Sequence, residues 1–213
     1  MSEYENEPIP GLPGILPPGE RILWQGSPDW HALARTAFHT RLFAVYFLAL
    51  ACAALASAFT SGVQQLADLT GVAITIAGGV VGFGLINVLA WASARSTIYT
   101  LTNRRIVIRL GIALPKCINL PLGTISAVDL ALRPDGTGDL PLAISGQQKL
   151  GYLLLWPSAR PWKIVEPQPM LRAVPQAGDV AALIAATCLA ANPHGSIAPV
   201  ETAAPAFGEA VAA

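Results

Sequence analysis

Two uncharged apolar runs dominate the chain. The first is Leu42–Phe59, LFAVYFLALACAALASAF, bounded by Arg41 before it and Thr60, Ser61 and Gly62 after it. At about 1.5 Å per residue, a helix over this run spans roughly 27 Å, close to a bilayer's hydrocarbon thickness. The second is Gly71–Ala94, long enough for roughly 36 Å, with Trp91 near its end and Arg95 stopping it. The pattern predicts a two-helix transmembrane hairpin, its spans joined by a linker at residues 60–70. Arg35, Arg41, Arg95, Arg104 and Arg105 all flank the hairpin outside this linker, whose only charge is Asp68. Positive residues stay on the cytoplasmic side, so both termini are expected there and the linker in the periplasm.

The flanks have other periods. Residues 1–18, MSEYENEPIPGLPGILPP, read as an extended arm rich in Pro and Gly. They have no basic start leading straight into an apolar run, so no signal peptide is expected. Residues 19–41 hold a strand candidate at Arg21–Gln25 and a short interfacial helix to Phe38. Ser27 is its expected N-cap and Pro28 its first residue. Residues 95–192 change to short strands: 96–102, 106–110, 118–120, 125–132, 140–144 and 152–156. Asn103–Arg104 and Asp135–Asp139 are turns between them. A last helix begins near Asp179, with Val180, Leu183, Ile184, Thr187 and Cys188 on one face and Asn192-Pro193 as its stop. The fold class is α+β: a membrane hairpin with a cytoplasmic antiparallel β-barrel closed by one helix, of the pleckstrin-homology (PH) type. The Ala/Pro-rich tail 193–213 is expected to be disordered.

Composition supports a membrane protein. Hydrophobic residues make up 53% and charged residues 12%, about half the charge of a typical soluble domain. The net charge of zero argues against nucleic acid as a partner. The balance is uneven: residues 1–30 are acidic, and residues 95–175 hold ten Lys or Arg against four acids. Cys52, Cys117 and Cys188 are scattered, so neither a disulfide framework nor a zinc site is expected.

No nucleophile elbow, zincin motif or phosphate loop is present, and the chain reads as a non-enzyme without cofactor or metal. The features left point to contacts. Gly78 and Gly82 have small-xxx-small spacing, suiting close helix approach within the hairpin or to a partner's helix, self-association included. Asn87 is the one strongly polar side chain in either span and suits a bond within the pair. Arg104, Arg105 and Arg109 are candidates for anionic lipid or a partner. Trp156, Arg160 and Trp162, in WPSARPWK, combine residue types that dominate binding hot spots; the alternative is that the tryptophans close the core. His39 sits at the span boundary beside Arg41, where it would be hydrated, which argues against its serving as a pigment ligand.

LTNRRIVIRLG (101–111) followed by INLPLGTISAVDL (118–130) resembles the bacterial PH domain of small membrane proteins. The order PGERILWQGSPDWHALAR, hairpin, ARSTIYTLTNRR, RPDGTGDLPL, GYLLLWPSARPWK, QPMLRAVPQA is similar to the PuhB family of photosynthetic-complex assembly proteins of purple bacteria. That resemblance spans about residues 8–190. It implies a non-enzymatic role in building the photosynthetic reaction centre and its core light-harvesting complex, in the inner or intracytoplasmic membrane. The implied partners are reaction-centre subunits and core antenna polypeptides. A generic membrane scaffold or anionic-lipid-binding PH-like module is the alternative. The family is usually described with three spans; here the segment around Trp30–Phe38 carries Asp29, His31 and Arg35 and cannot be a third.

Overall fold

A computed structural model describes residues 10–60, 69–112, 114–145, 151–165 and 167–191. The start of the expected arm, most of the expected linker and the expected tail lie outside these residues. The chain divides into two units, one of residues up to Trp30 together with those from Ser93 onward, the other His31–Ala92.

The first unit holds two four-stranded antiparallel sheets. One runs β1 (Ile22–Gly26), β2 (Ile98–Thr102), β3 (Arg105–Leu110), β4 (Lys116–Pro121), in that order. β1 comes from before the hairpin, yet its Gln25 stands opposite Thr100 and its Gly26 opposite Tyr99. The β2–β3 turn is built by side chains. Thr102 Oγ1 accepts the backbone N–H of Arg104 (3.2 Å) and of Arg105 (3.0 Å). Asn103 accepts from Arg21 N (2.9 Å) and donates to Gly19 O (2.9 Å). These bonds satisfy backbone groups that the turn takes out of the ladder.

The other sheet is organised on β7 (Gly138–Ile144). It pairs with β5 (Ile125–Val128), with β6 (Ala131–Leu132) and with β8 (Met170–Val174). No closed barrel results, which corrects the expected architecture: among the described residues the strands form two sheets. Pro121 has no N–H to carry the ladder on, and the chain turns through a 3₁₀ segment, Leu122–Thr124, before β5. The strand expected over 125–132 is two strands, with Asp129 N donating to Pro141 O (3.0 Å) at the break. The strand expected over 152–156 is instead a helical turn, α4 (Tyr152–Leu155). β8 was not expected at all.

Between the sheets Tyr99, Leu101, Ile106, Ile108, Leu120, Leu140, Leu142 and Leu171 are fully buried. Each such side chain contributes about 1.5–3 kcal/mol on burial. The last helix, α5 (Ala177–Ala191), adds Ala177, Val180, Ala181, Ile184 and Cys188 to this core. The expected face is thus rotated: Leu183 is exposed, and Thr187 donates to its own helix at Leu183 O (2.7 Å). Small Ala177 and Ala181 allow the closer approach.

The second unit is helical. α1 (Trp30–Thr36) starts two residues after the expected Pro28, because Asp29 N donates to Ala173 O (2.8 Å) and stays outside the helix. A left-handed His39 (φ 51°) separates it from α2 (Thr40–Thr60), and α3 (Thr70–Ser96) follows. Both long helices are long and apolar enough to cross a membrane. They pack antiparallel: the position a Cβ would take on Gly79 lies 2.9 Å from the Phe47 ring, and that on Gly82 lies 2.9 Å from the Phe43 ring. The two phenylalanines sit against each other, ring centroids 4.6 Å apart.

Candidate functional site

Arg104, Arg105 and Arg109 do not form one free patch. Arg105 grips Glu20 with two bonds, Nε to Oε1 at 2.8 Å and Nη2 to Oε2 at 3.2 Å. Thr102 donates to the same carboxylate at 2.8 Å. Burial alone would raise the Glu20 carboxyl, but these hydrogen bonds and the Arg105 charge outweigh it and hold it below its ordinary value. Arg105 therefore ties the segment before β1 to the β2–β3 turn. Arg104 is exposed and reaches Pro18 O at 3.4 Å. Arg109 is half-buried on β3, opposite Ile98 and Cys117. Glu20 is the partner that sequence reasoning missed: 85 residues separate it from Arg105, and no local pattern links them.

The tryptophan segment is built as a braced loop. After α4, Pro157, Ser158 and Ala159 are buried. Met170 N donates to Ser158 O (2.8 Å), Arg160 N donates to Gln168 O (2.9 Å), and Ala159 bridges Pro169. Residues 158–160 and 168–170 thus form a stem. Arg160 belongs to it, its Nη1 donating to Asp129 Oδ2 and Gln168 Oε1, both at 3.0 Å. The tip projects from this stem. Trp162 is 92% exposed, Ile164 66% and Val165 96%, with Lys163 among them. Trp156 is 47% exposed at the base. Neither tryptophan closes the core. Ile164 and Val165 were not singled out from sequence; their place just after Trp162 was the available signal.

Beneath the stem lies a buried polar network. The Tyr99 hydroxyl lies 3.2 Å from Ser158 Oγ, accepts from Arg172 N (3.0 Å) and donates to Arg172 O (3.4 Å). Arg172 Nη1 donates to Pro157 O at 3.0 Å. Burial pushes the Tyr99 phenol up to about 12 and draws the Arg172 guanidinium down. A phenol held neutral in this way works as a hydrogen-bonding strut. Asp139 accepts from Ala173 N (2.7 Å) and pairs with Arg133. Asp135 accepts from Thr137 N and Oγ1, the chemistry of its own turn. Burial pushes the Cys188 thiol up to about 11, away from the reactive thiolate. Among the described residues no group of three or more His, Cys, Asp or Glu is placed to hold a metal ion.

In the hairpin the structure separates the two glycines paired by spacing. Gly82 is filled by Phe43, whereas nothing lies within 4 Å of the Cβ position on Gly78. The packing pair is Gly79 and Gly82, facing phenylalanines four residues apart on α2. Asn87 donates to Phe83 O of its own helix at 2.8 Å. An apolar groove of about 460 Å³ runs along the seam past Phe47, Ala51, Ile76 and Val80.

The family described as Bacterial PH domain matches residues 42–187, from the start of the first apolar helix into α5. An uncharacterized 23.7 kDa protein in the puhA 5′ region of Rhodobacter capsulatus is 36% identical over 211 residues, covering 99% of this chain and 97% of the relative. No solved structure matches the chain.

Proposed function

We propose that this chain, which belongs to the bacterial PH domain family, is a non-enzymatic membrane assembly factor for the photosynthetic reaction centre and its core light-harvesting complex. One observation carries the reading: likeness along nearly the whole chain to a protein encoded in the puhA region, a photosynthesis gene-cluster setting. The order of motifs, like that of the PuhB-type assembly proteins, agrees with it. The hairpin anchors the protein in the inner or intracytoplasmic membrane with both termini cytoplasmic. Its outward apolar faces are available to membrane helices of the subunits being assembled, and Trp162, Ile164 and Val165 are available to a subunit's soluble face. The generic anionic-lipid reading of Arg104, Arg105 and Arg109 is weaker, because Arg105 is engaged with Glu20.

Deleting the gene in its native host tests the reading. Reaction-centre absorbance per milligram of membrane protein is expected to fall and to return on complementation. Unchanged absorbance would remove the proposal. A photo-crosslinker at Trp162 in pigmented membranes is expected to capture a reaction-centre or antenna polypeptide.

A further inference from the structure

One pocket of the hairpin unit is unlike the others. It holds about 390 Å³ and is lined by His31, Ala34, Arg35, Thr40 and Asn87. Three helices build it. His31 and Arg35 are one turn apart on α1, and Arg35 Nε donates to His31 O (3.2 Å), which sets the guanidinium along the helix. Thr40 opens α2 and is that helix's one buried residue. Asn87 comes from α3. The polar side chains on this wall are His31, Arg35, Thr40 and Asn87, all of types that carry an N–H or O–H; one is a cation, and no carboxylate lines the pocket. The neighbouring pocket, lined by Phe38, His39, Leu42, Phe43 and Tyr46, is aromatic and apolar instead.

This donor set suits a ligand that is anionic and presents several acceptor oxygens. Guanidinium groups recognise phosphate through paired N–H bonds, and hydroxyl and amide groups supply neutral donors beside them. The pocket's depth agrees, because Thr40 is where α2 begins, the level at which a spanning helix meets the headgroups. It also gives Asn87 a role. A strongly polar side chain inside an apolar span is costly and commonly marks a site.

We infer that this pocket is a phosphate-binding site whose ligand is the headgroup of a membrane phospholipid. The inference rests on the reading that α2 and α3 span a bilayer.

The test uses the full chain, purified in mild detergent from membranes containing phosphatidylglycerol and examined by native mass spectrometry. The wild type is expected to retain one phospholipid. Arg35→Gln and Asn87→Leu are expected to lower retention at least several-fold, with Arg35→Lys in between, at unchanged helical circular dichroism and elution volume. Inorganic phosphate at millimolar concentration separates the sources. If it broadens in ³¹P resonance with the wild type alone and displaces the lipid, the site takes free phosphate. If it does neither, the lipid is the ligand. Equal lipid retention by wild type and variants means a merely annular lipid shell and overturns the site. Release of the wild type from membranes by alkaline carbonate overturns the membrane reading, and the site with it. Carbonate-resistant protein without the variant effect overturns the site alone.

Discussion

The two units bury opposite things with the same residue types. In the sheet unit, Leu, Ile and Val point inward, and Leu101, Ile106, Ile108 and Leu140 are within 1% of complete burial. In the hairpin unit Val45, Leu48, Ile74, Val80 and Leu85 are at least 60% exposed, while α2 buries only Thr40. In water the hydrophobic effect that collapses the sheets would also collapse such helices, so this outward face suits the membrane setting proposed above. The contrast also locates polarity. In the sheet unit it lies on the rim, at Glu20–Arg105, and under the loop, at Tyr99–Arg172. In the hairpin it gathers at one end, around Thr40 and Asn87.

The sharpest break of this contrast is one substitution on each side of it. Leu140→Ala should cost about 2–5 kcal/mol by opening a cavity between the sheets, seen as a lower unfolding midpoint of the full chain in detergent. Val80→Arg comes next. On a water-facing helix it would be nearly neutral, but within a span it should cost about 2.5–3.5 kcal/mol and reduce the carbonate-resistant fraction. Gly79→Leu should cost about 1–3 kcal/mol through collision with Phe47, while Gly78→Leu leaves hairpin stability unchanged. The readout is detergent-resistant compactness of the hairpin.

An effect of similar size is expected at Glu20. Its carboxyl is lowered on folding, so its stabilisation is complete above the ordinary carboxylate value and is lost as pH falls through its lower folded value. Glu20→Gln should cost about 1–3 kcal/mol at neutral pH and flatten that acid limb of the stability profile. Trp162→Ala should change stability by no more than about 0.5 kcal/mol. It should nevertheless reduce reaction-centre assembly in membranes. Unaltered assembly would show that the loop is no contact surface.

The hairpin was legible because uncharged length is a one-dimensional property, though its helices run beyond the apolar runs to Thr40 and Ser96. Strands β2 and β3 were legible for the same kind of reason, since β-branched residues recur about a clear Asn-Arg turn. β8 was hidden because MLRAV lies between Pro169 and Pro175 and carries Arg172, whose charge belongs to a buried network no short window shows. The run YLLLW is apolar without a period, so length and context alone decide between strand and helix. Of the contact residues, Trp162 was legible as a type but not as a surface. Its exposure depends on the stem that Arg160, Gln168 and Pro169 make, and Arg160, grouped with it by sequence, serves as the brace.

The pairing of β1 with β2 carries a consequence for the order of synthesis. Gln25 and Thr100 share a hydrogen bond across 75 residues, and both apolar helices are made in between. At translation rates of about 5–20 residues per second, β1 waits roughly 4–15 s for its neighbour. During that interval the ribosome synthesises the whole hairpin. The sheet can therefore zip only on a chain whose hairpin has already been synthesised, and a finished sheet reports a completed hairpin to anything that recognises its surface.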